Sequence, residues 1–459
     1  MSIDAIFPNT FSEWLSSQRW YASKGSVPRL ERIGGWRVES DGAIITTHYL
    51  IDHLDGRTAL YQVPLSERAE PLDGIQHIGM LDGLYVYDAT SDLAYAAAII
   101  RIMLDEEIVR TSVTDGGAPG DTVSGHRQPG APHAHVVSAK VLSGEQSNTS
   151  IICQVEQGSP IIIKVFRALH HGDNPDVILQ SAIAAAGSAL VPTSLGSLTG
   201  TWSDTGRADG RAIGHLAFAQ EFLPGVQDAW RVALRAAEAG EDFTAAAHAL
   251  GVATAEVHSI LGTVMPTRIP TAADIDVTIA SMRARLELAL IEVPSLEELR
   301  APIEVVFAAA RQIQWPALQR IHGDFHLGQV LSVPDRGWVL LDFEGEPMRP
   351  MAERSELDVT LRDVAGMLRS FDYVAGSVQL ASGNQRVVEW ASAARTAFCA
   401  GYQERAGDEL VSQQPLLDAL EIDKALYEAV YEARNRPDWL DIPVAAIRRL
   451  AENSKTTSV

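Results

Sequence analysis

The sequence predicts an α+β protein in which a β-rich first half is followed by a helical second half. Three observations carry this reading. Between Trp36 and Ala219, short apolar runs alternate with Gly, Pro, Asp and Asn punctuation. From Val226 onward, apolar residues recur at helical spacing. One hairpin-like stretch, Arg320 to Pro347, interrupts that helical half. A chain of 459 residues exceeds one simple core and divides into two or three domains, expected at residues 1–90, 91–223 and 224–459.

Composition is that of an ordinary globular protein, 46% hydrophobic and 21% charged. A formal net charge of -22 argues against nucleic acid or an anionic membrane as partner, because both need basic surfaces. It leaves room for an anionic nucleotide in one locally positive cleft. Two cysteines, Cys153 and Cys399, make neither a disulfide framework nor a zinc site. The start, MSIDAIFPNTFSEW, lacks the basic and apolar regions of a signal peptide, and no apolar run is long enough to span a bilayer. The expected location is the cytoplasm.

In the first domain, Thr10 to Ser17 reads as a helix, with Thr10 and Glu13 at capping-box spacing. Trp36 to Val38, Ala43 to Leu50 and Thr58 to Val63 read as strands, with Asp55-Gly56 as a turn. Trp14, Trp20 and Tyr21 form a binding patch or an aromatic core, and the core is the simpler reading.

Leu93 to Glu107 reads as a helix, and Asp115 to His135, rich in Gly, Pro and His, as a surface loop or linker. In such a loop His126, His133 and His135 are solvated rather than metal ligands. Val136 to Leu142 and Ile151 to Val155 read as strands around a polar turn, Gly144 to Ser150. The amides and small hydroxyls of that turn, Ser147 among them, suit a phosphate and are also ordinary turn chemistry. Lys164 lies inside the apolar run Ile161 to Phe166. A buried Lys is costly unless it meets an anion; the alternative is an edge strand from which it reaches solvent. Leu216 to Ala219 is a strand broken by Gln220 to Gly225.

The helical half opens with Phe243 to Leu261, where His258 reads as a packing residue, followed by Ile275 to Leu290 and Leu296 to Gln314. Leu361 to Ala375, Gln385 to Gly401 and Leu416 to Arg434 come after the hairpin. In the hairpin itself, Val330-Leu331 and Trp338 to Leu341 flank the turn Pro334 to Gly337. Asp324 and Gln329 then lie at one end, and Asp342 returns to it. Asp324 suits a base accepting a hydroxyl proton. Gln329 and Asp342 offer hard oxygen ligands that suit Mg²⁺. Protein kinases use the same order: an Asp base, an amide ligand, then an Asp-Phe-Gly metal ligand. Here Gln329 replaces Asn and Glu344 replaces Gly. His322 is expected to hold the loop.

His322-Gly323-Asp324-Phe325-His326, Gln329 and Asp342-Phe343-Glu344 resemble the actinobacterial maltokinases and their relatives, the glucosamine kinases. The resemblance extends to Trp14-Leu15, Gln18 to Tyr21, Asn174-Pro175-Asp176, Leu361 to Tyr373 and Asp423 to Pro443. It implies a bilobal protein-kinase-like (aminoglycoside-phosphotransferase-like) fold with an N-terminal α+β cap subdomain and a mainly helical C-lobe. ATP would bind between the lobes, with Ser147 and Lys164 on its phosphates and main-chain groups near Glu221 and Leu223 on adenine. Related kinases follow Asn-Pro-Asp closely with a Glu that pairs with the strand Lys. This chain has Val177 to Gln180 there, so Asp173, Asp176 or Gln180 would have to substitute.

For the acceptor, Lys424, Tyr427, Glu428 and Tyr431 share one helix face through spacings of three and four. With the resemblance, that face suits a sugar, and Asp324, Tyr373, Lys424, Tyr427, Glu428 and Asp441 are its candidate contacts. Glucosamine, giving glucosamine 6-phosphate, is favoured over maltose, giving maltose 1-phosphate. Asp438 and Asp441 suit an ammonium group, and maltokinases often carry Pro at the latter position. Aminoglycoside phosphotransfer and a regulatory binding module are the remaining alternatives.

Overall fold

The computed structural model describes residues 10–25, 27–54, 57–111, 121–142, 148–346, 351–407 and 409–456. Ser147, the Asp55-Gly56 turn, Pro347 and most of the Gly144 to Ser150 turn lie outside the described residues. The chain divides into two compact units: residues 1–181 with 192–224, and residues 182–191 with 225–459.

In the first unit, α1 (Thr10–Ser17) precedes β1 (Leu30–Ser40), β2 (Ala43–Leu54), β3 (Arg57–Arg68), β4 (Gly79–Leu81) and β5 (Leu84–Asp88). These strands make a five-stranded antiparallel sheet in the order β1-β2-β3-β5-β4. Trp20 and Tyr21 are buried with Phe11, Leu15 and Tyr61, and Trp14 packs against them, so the aromatic residues form a core. Helix α2 (Leu93–Leu104) follows, with Asp92 accepting from the Ala94 amide at its start.

A second sheet contains β6 (Ile108–Arg110), β7 (Thr122–Arg127), β8 (Val136–Val141), β9 (Asn148–Val155), β10 (Ile161–Phe166), β11 (Ser194–Ser203) and β12 (Arg211–Glu221). Helix α3 (Pro175–Ala185) lies in sequence between β10 and β11. The sheet order is β6-β7-β11-β12-β10-β9-β8. Helix α2 packs against β1, β7, β8 and β11, so one largely aliphatic core serves both sheets.

The expected loop at Asp115 to His135 is corrected here: Thr122–Arg127 is a strand paired with both β6 and β11. Its Gly125 is no turn residue. A Cβ there would lie 1.8 Å from the Ile102 carbonyl oxygen, so glycine lets the strand pass directly against α2. His126 meets Thr199 and His133 meets Arg127. The helix expected to reach Glu107 ends at Leu104 and gives way to β6.

The second unit holds β13 (Gln227–Asp228), α4 (Ala229–Ala239), α5 (Thr244–Val264), α6 (Ala272–Glu292) and α7 (Arg300–Gln312). The expected start of α7 at Leu296 is instead a 3₁₀ turn, Pro294–Leu299. Then come β14 (Val330–Val333), β15 (Gly337–Leu340), α8 (Met351–Arg354), α9 (Leu361–Ser382), α10 (Val387–Ala406), α11 (Glu409–Ser412), α12 (Gln414–Asn435) and α13 (Asp441–Thr456). The three short strands form one sheet in the order β13-β14-β15. Helix α12 packs on α6, α7, α9 and α13, while α10 packs on α5 and α9. Among the described residues no helix is long and apolar enough to cross a membrane.

Candidate active site

The hairpin of β14 and β15 pairs Val330 with Leu340 and Val333 with Gly337, and this register returns the chain to where it began. Gln329 donates through Nε2 to Asp342 Oδ2 at 3.1 Å, and the Leu341 amide donates to the Gln329 carbonyl at 2.9 Å. Asp342 sits at φ 59°, in the left-handed region that costs a non-glycine residue roughly 1–2 kcal/mol. Its neighbour Phe343 is buried and lies 4.6 Å from the His322 ring. His322 Nε2 also meets the Leu341 carbonyl at 2.8 Å. His322 therefore holds the return strand to the loop that carries Asp324.

That loop rests on one face of α9. Asp363 is buried and accepts from the His322 amide, the Gly323 amide and His258 Nε2, each at 2.9 Å. Burial works against its charge, but the His258 hydrogen bond, the nearby histidines and the amide donors outweigh it and hold the carboxyl below its usual range. One turn on, Gly366 lies under the loop, where a Cβ would stand 2.6 Å from the Phe325 carbonyl oxygen. A further turn on, Ser370 Oγ accepts from the Leu327 amide at 3.1 Å. Residues 363, 366 and 370 recur at helical spacing, so α9 serves as the bed of the Asp324 loop. Sequence reasoning missed all three. They lie in the stretch Leu361 to Tyr373 that carries the resemblance, but their partners lie about 40 residues away.

Beside Asp324 lies a cavity of about 330 Å³. Tyr373, Lys424, Tyr427, Glu428 and Tyr431 line it, together with Asp324, so these sequence candidates come together. Lys424 Nζ stands 2.6 Å from Glu346 and 3.6 Å from Asp324. Burial opposes its charge, but Glu346 and Asp324 outweigh that and raise its pKa, keeping the ammonium charged. Glu428 is held at 2.8 Å by Arg369, which also reaches Asp372 at 2.6 Å. Burial nevertheless pushes the Glu428 carboxyl above its usual range, against the pull of Arg369 and Lys424.

Four further lining residues escaped sequence reasoning as site residues: Trp230, Glu432, Arg436 and Trp439. Glu432 accepts from Tyr373 Oη at 2.9 Å and pairs with Arg436 at 2.6 Å. Trp439 stacks on Tyr373 with centroids 6.3 Å apart. Asp441 is a correction. It opens α13 and lines a separate cavity with Asp372, Arg395 and Arg449, away from Asp324. The short turn Pro437–Trp439 brings Trp439 to the sugar candidates, and α13 then starts on another side.

In the first unit, Lys164 Nζ lies 3.0 Å from Asp176 Oδ2. Gln180 donates to Asp176 Oδ1 at 2.6 Å, and Gln220 donates to Gln180 at 2.8 Å. The Lys therefore has a buried carboxylate partner on α3 despite the missing Glu, and an amide pair fixes that carboxylate. The Glu221 amide donates to the Thr193 carbonyl and the Phe222 amide to the Pro160 carbonyl, both at 2.8 Å. Leu223 is the second residue beyond the end of β12.

Similarity to a glucosamine kinase of Streptacidiphilus jiangxiensis reaches 29% identity, over 68% of this chain and 73% of that protein. A glucosamine kinase of Mycolicibacterium smegmatis is 27% identical, over 69% of this chain and 80% of the relative. Among solved structures, a glucosamine kinase in complex with glucosamine, ADP and inorganic phosphate superposes with a TM-score of 0.69 at 22% identity. The superposition covers 96% of this chain and 99% of that one. A second crystal form of glucosamine kinase gives 0.70 at 22%, over 97% of this chain and 100% of that one. The fold is therefore the protein-kinase-like one of these structures. The model of the maltokinase N-terminal cap domain matches residues 14–92, and that of the phosphotransferase enzyme family matches residues 138–407. The latter spans more than half of the 459 residues, and the chain belongs to the phosphotransferase enzyme family.

Proposed function

We propose that the protein is an ATP-dependent sugar kinase that phosphorylates glucosamine to glucosamine 6-phosphate. The observation that carries this is the cavity beside Asp324. At about 330 Å³ it stands at the small end of ligand pockets, and it joins aromatic walls to the carboxylates of Glu428 and Glu432. Such a space suits one ring better than two; its acids Glu428 and Glu432 are already held by Arg369 and Arg436, so the size of the space weighs more for glucosamine than its charge does. Two relatives that are glucosamine kinases support the same reading.

Asp324 accepts the proton of the acceptor hydroxyl as the γ-phosphoryl group arrives. Lys424, between Asp324 and Glu346, holds Asp324 in place and contributes positive charge at the cavity floor. Lys164, backed by Asp176, meets the nucleotide phosphates. The Glu221 and Phe222 amides already donate to the Thr193 and Pro160 carbonyls, which supports Leu223 as the main-chain donor for adenine. Gln329 donates through Nε2 to Asp342, so the two side chains are adjacent; the amide oxygen and carboxylate they carry are a donor set that fits Mg²⁺ and would hold it, with the Gln329 amide turned to offer its oxygen. The ion, when bound, neutralises phosphate charge. The match of the maltokinase cap model favours maltose as the second reading.

The test is kcat/KM for glucosamine and for maltose with Mg-ATP, read as ADP release. A larger value for glucosamine is expected. A larger value for maltose would overturn the acceptor while leaving the kinase. No ADP release with any sugar or aminoglycoside would leave a binding module.

A further inference from the structure

Arg167 directly follows β10, three residues after Lys164, and its side chain is fully buried. A buried guanidinium is costly unless its donors are met. Here two different parts of the first unit meet those of Nη2 and Nε, while Nη1 is buried with no hydrogen-bond partner among the described residues. Nη2 donates to Asp88 Oδ2 at 2.8 Å and to Thr90 Oγ1 at 3.0 Å. The Trp20 ring lies 4.7 Å from Cζ, within cation–π range. All three partners belong to residues 14–92, the stretch matched by the cap model. Nε instead donates at 2.8 Å to Thr149 Oγ1 on β9, the strand that pairs Ser150 with Lys164 and Thr149 with Val165.

The backbone around Arg167 is gripped from the cap as well. The Gln62 amide donates to the Arg167 carbonyl at 2.9 Å, and Gln62 Nε2 donates to the Phe166 carbonyl at 2.6 Å. The Leu169 amide donates to the Leu60 carbonyl at 2.8 Å. The end of the Lys164 strand is therefore clamped by β3, while one guanidinium ties the cap to the neighbouring strand.

We propose that Arg167 is a positioning residue through which the cap sets β9 and β10, and with them Lys164, for the nucleotide phosphates. This rests on the assignment of the phosphates to Lys164. It gives the cap a role in nucleotide affinity that none of its own residues needs to touch.

Two variants cut the link at different ends. Arg167→Lys keeps a cation near Asp88 but cannot span Asp88 and Thr149 together. Thr149→Val removes only the β9 acceptor and leaves the cap pairing intact. Each is expected to raise the calorimetric Kd for ATP and the KM for ATP about tenfold, the size of one charge-assisted hydrogen bond, with KM for the sugar unchanged. The double variant should be no weaker than either single one. Thr149→Ser should restore ATP affinity. Arg68→Lys is the control: it disturbs the Arg68–Asp92 pair at 2.7 Å and should lower Tm without changing KM for ATP.

Unchanged ATP affinity in folded Thr149→Val overturns the proposal, as does an equal loss in Arg68→Lys. Lys164→Ala separates the two layers. If it binds ATP normally, the phosphate assignment falls and takes this inference with it. If it binds poorly while Thr149→Val binds normally, only the coupling falls.

Discussion

The hairpin and the facing stretch of α12 place their acids by different means. In the hairpin, the backbone does it. Gly323 at φ 83° and Asp342 at φ 59° bend the chain, and Asp363 clamps the amides of His322 and Gly323. On α12, a regular helix supplies the positions and counter-charges fix the side chains: Glu428 to Arg369, Glu432 to Arg436, Lys424 to Glu346. A reacting group needs a position that a regular element does not offer, and backbone irregularity provides it. A recognition face needs several groups side by side, and helical spacing provides that. Lys424 joins the two schemes through its 3.6 Å approach to Asp324.

The comparison breaks first at Asp324. Asp324→Asn keeps the shape of the loop and removes the proposed proton acceptor. We expect kcat to fall about 10²–10⁴-fold, with Tm and ATP affinity nearly unchanged. Near-normal turnover in the folded variant would move the base elsewhere. Next is Asp363→Asn, which leaves the loop's sequence intact and weakens only its clamp. An amide offers one acceptor atom and two donors to three hydrogen-bond donors, so one donor at least is left unmet. We expect kcat to fall about 10–100-fold and Tm to drop with it. A drop in Tm with full activity would mean that α9 supports the fold and not the geometry of Asp324.

How much was legible follows the same division. The hairpin was readable because its parts lie within 23 residues, from His322 to Glu344, and turn chemistry is local. The α12 face was readable because four and three are helical spacings. What failed was long-range. Asp363 read as one polar residue in a helix, since its meaning lies in amides 40 residues away. Trp230 lies on α4, nearly two hundred residues before α12, and only packing brings it to the cavity. Asp176 was one of three candidates for Lys164 until β10 and α3 met. Gly125 carried the opposite meaning from its local one, because a close approach to α2 and a turn both call for glycine.

On α12, the expected order of effects is reversed. Glu428 was the sequence candidate for an ammonium-binding carboxylate, yet Arg369 already engages it. Glu428→Gln removes one of two carboxylate partners of a buried guanidinium, Asp372 being the other. The expected loss is about 1–3 kcal/mol of stability, with KM for glucosamine rising only a few-fold and KM for ATP unchanged. A rise in KM of a hundredfold without loss of Tm would show that Glu428 serves the sugar first and Arg369 second, contrary to the scheme above.

The smallest effect is expected at Asp441, and it sharpens the comparison most cheaply. Composition made this residue attractive, since an acid near the sugar face favours an amino sugar. Charge acts through distance, however, and Asp441 lines a different cavity from Asp324, at the start of α13 beside Asp372 and Arg449. Arg449 reaches Asp372 at 2.9 Å, so that cavity carries its own cation. An acid at a helix start is worth a few tenths to about 1 kcal/mol through the helix dipole. Asp441→Asn should therefore lower Tm slightly and leave the ratio of kcat/KM for glucosamine to that for maltose within about twofold, less than the factor of 10 that 1.4 kcal/mol would give. A selectivity change well beyond that, with Tm unmoved, would place Asp441 on the acceptor and require α13 to approach the cavity when sugar binds.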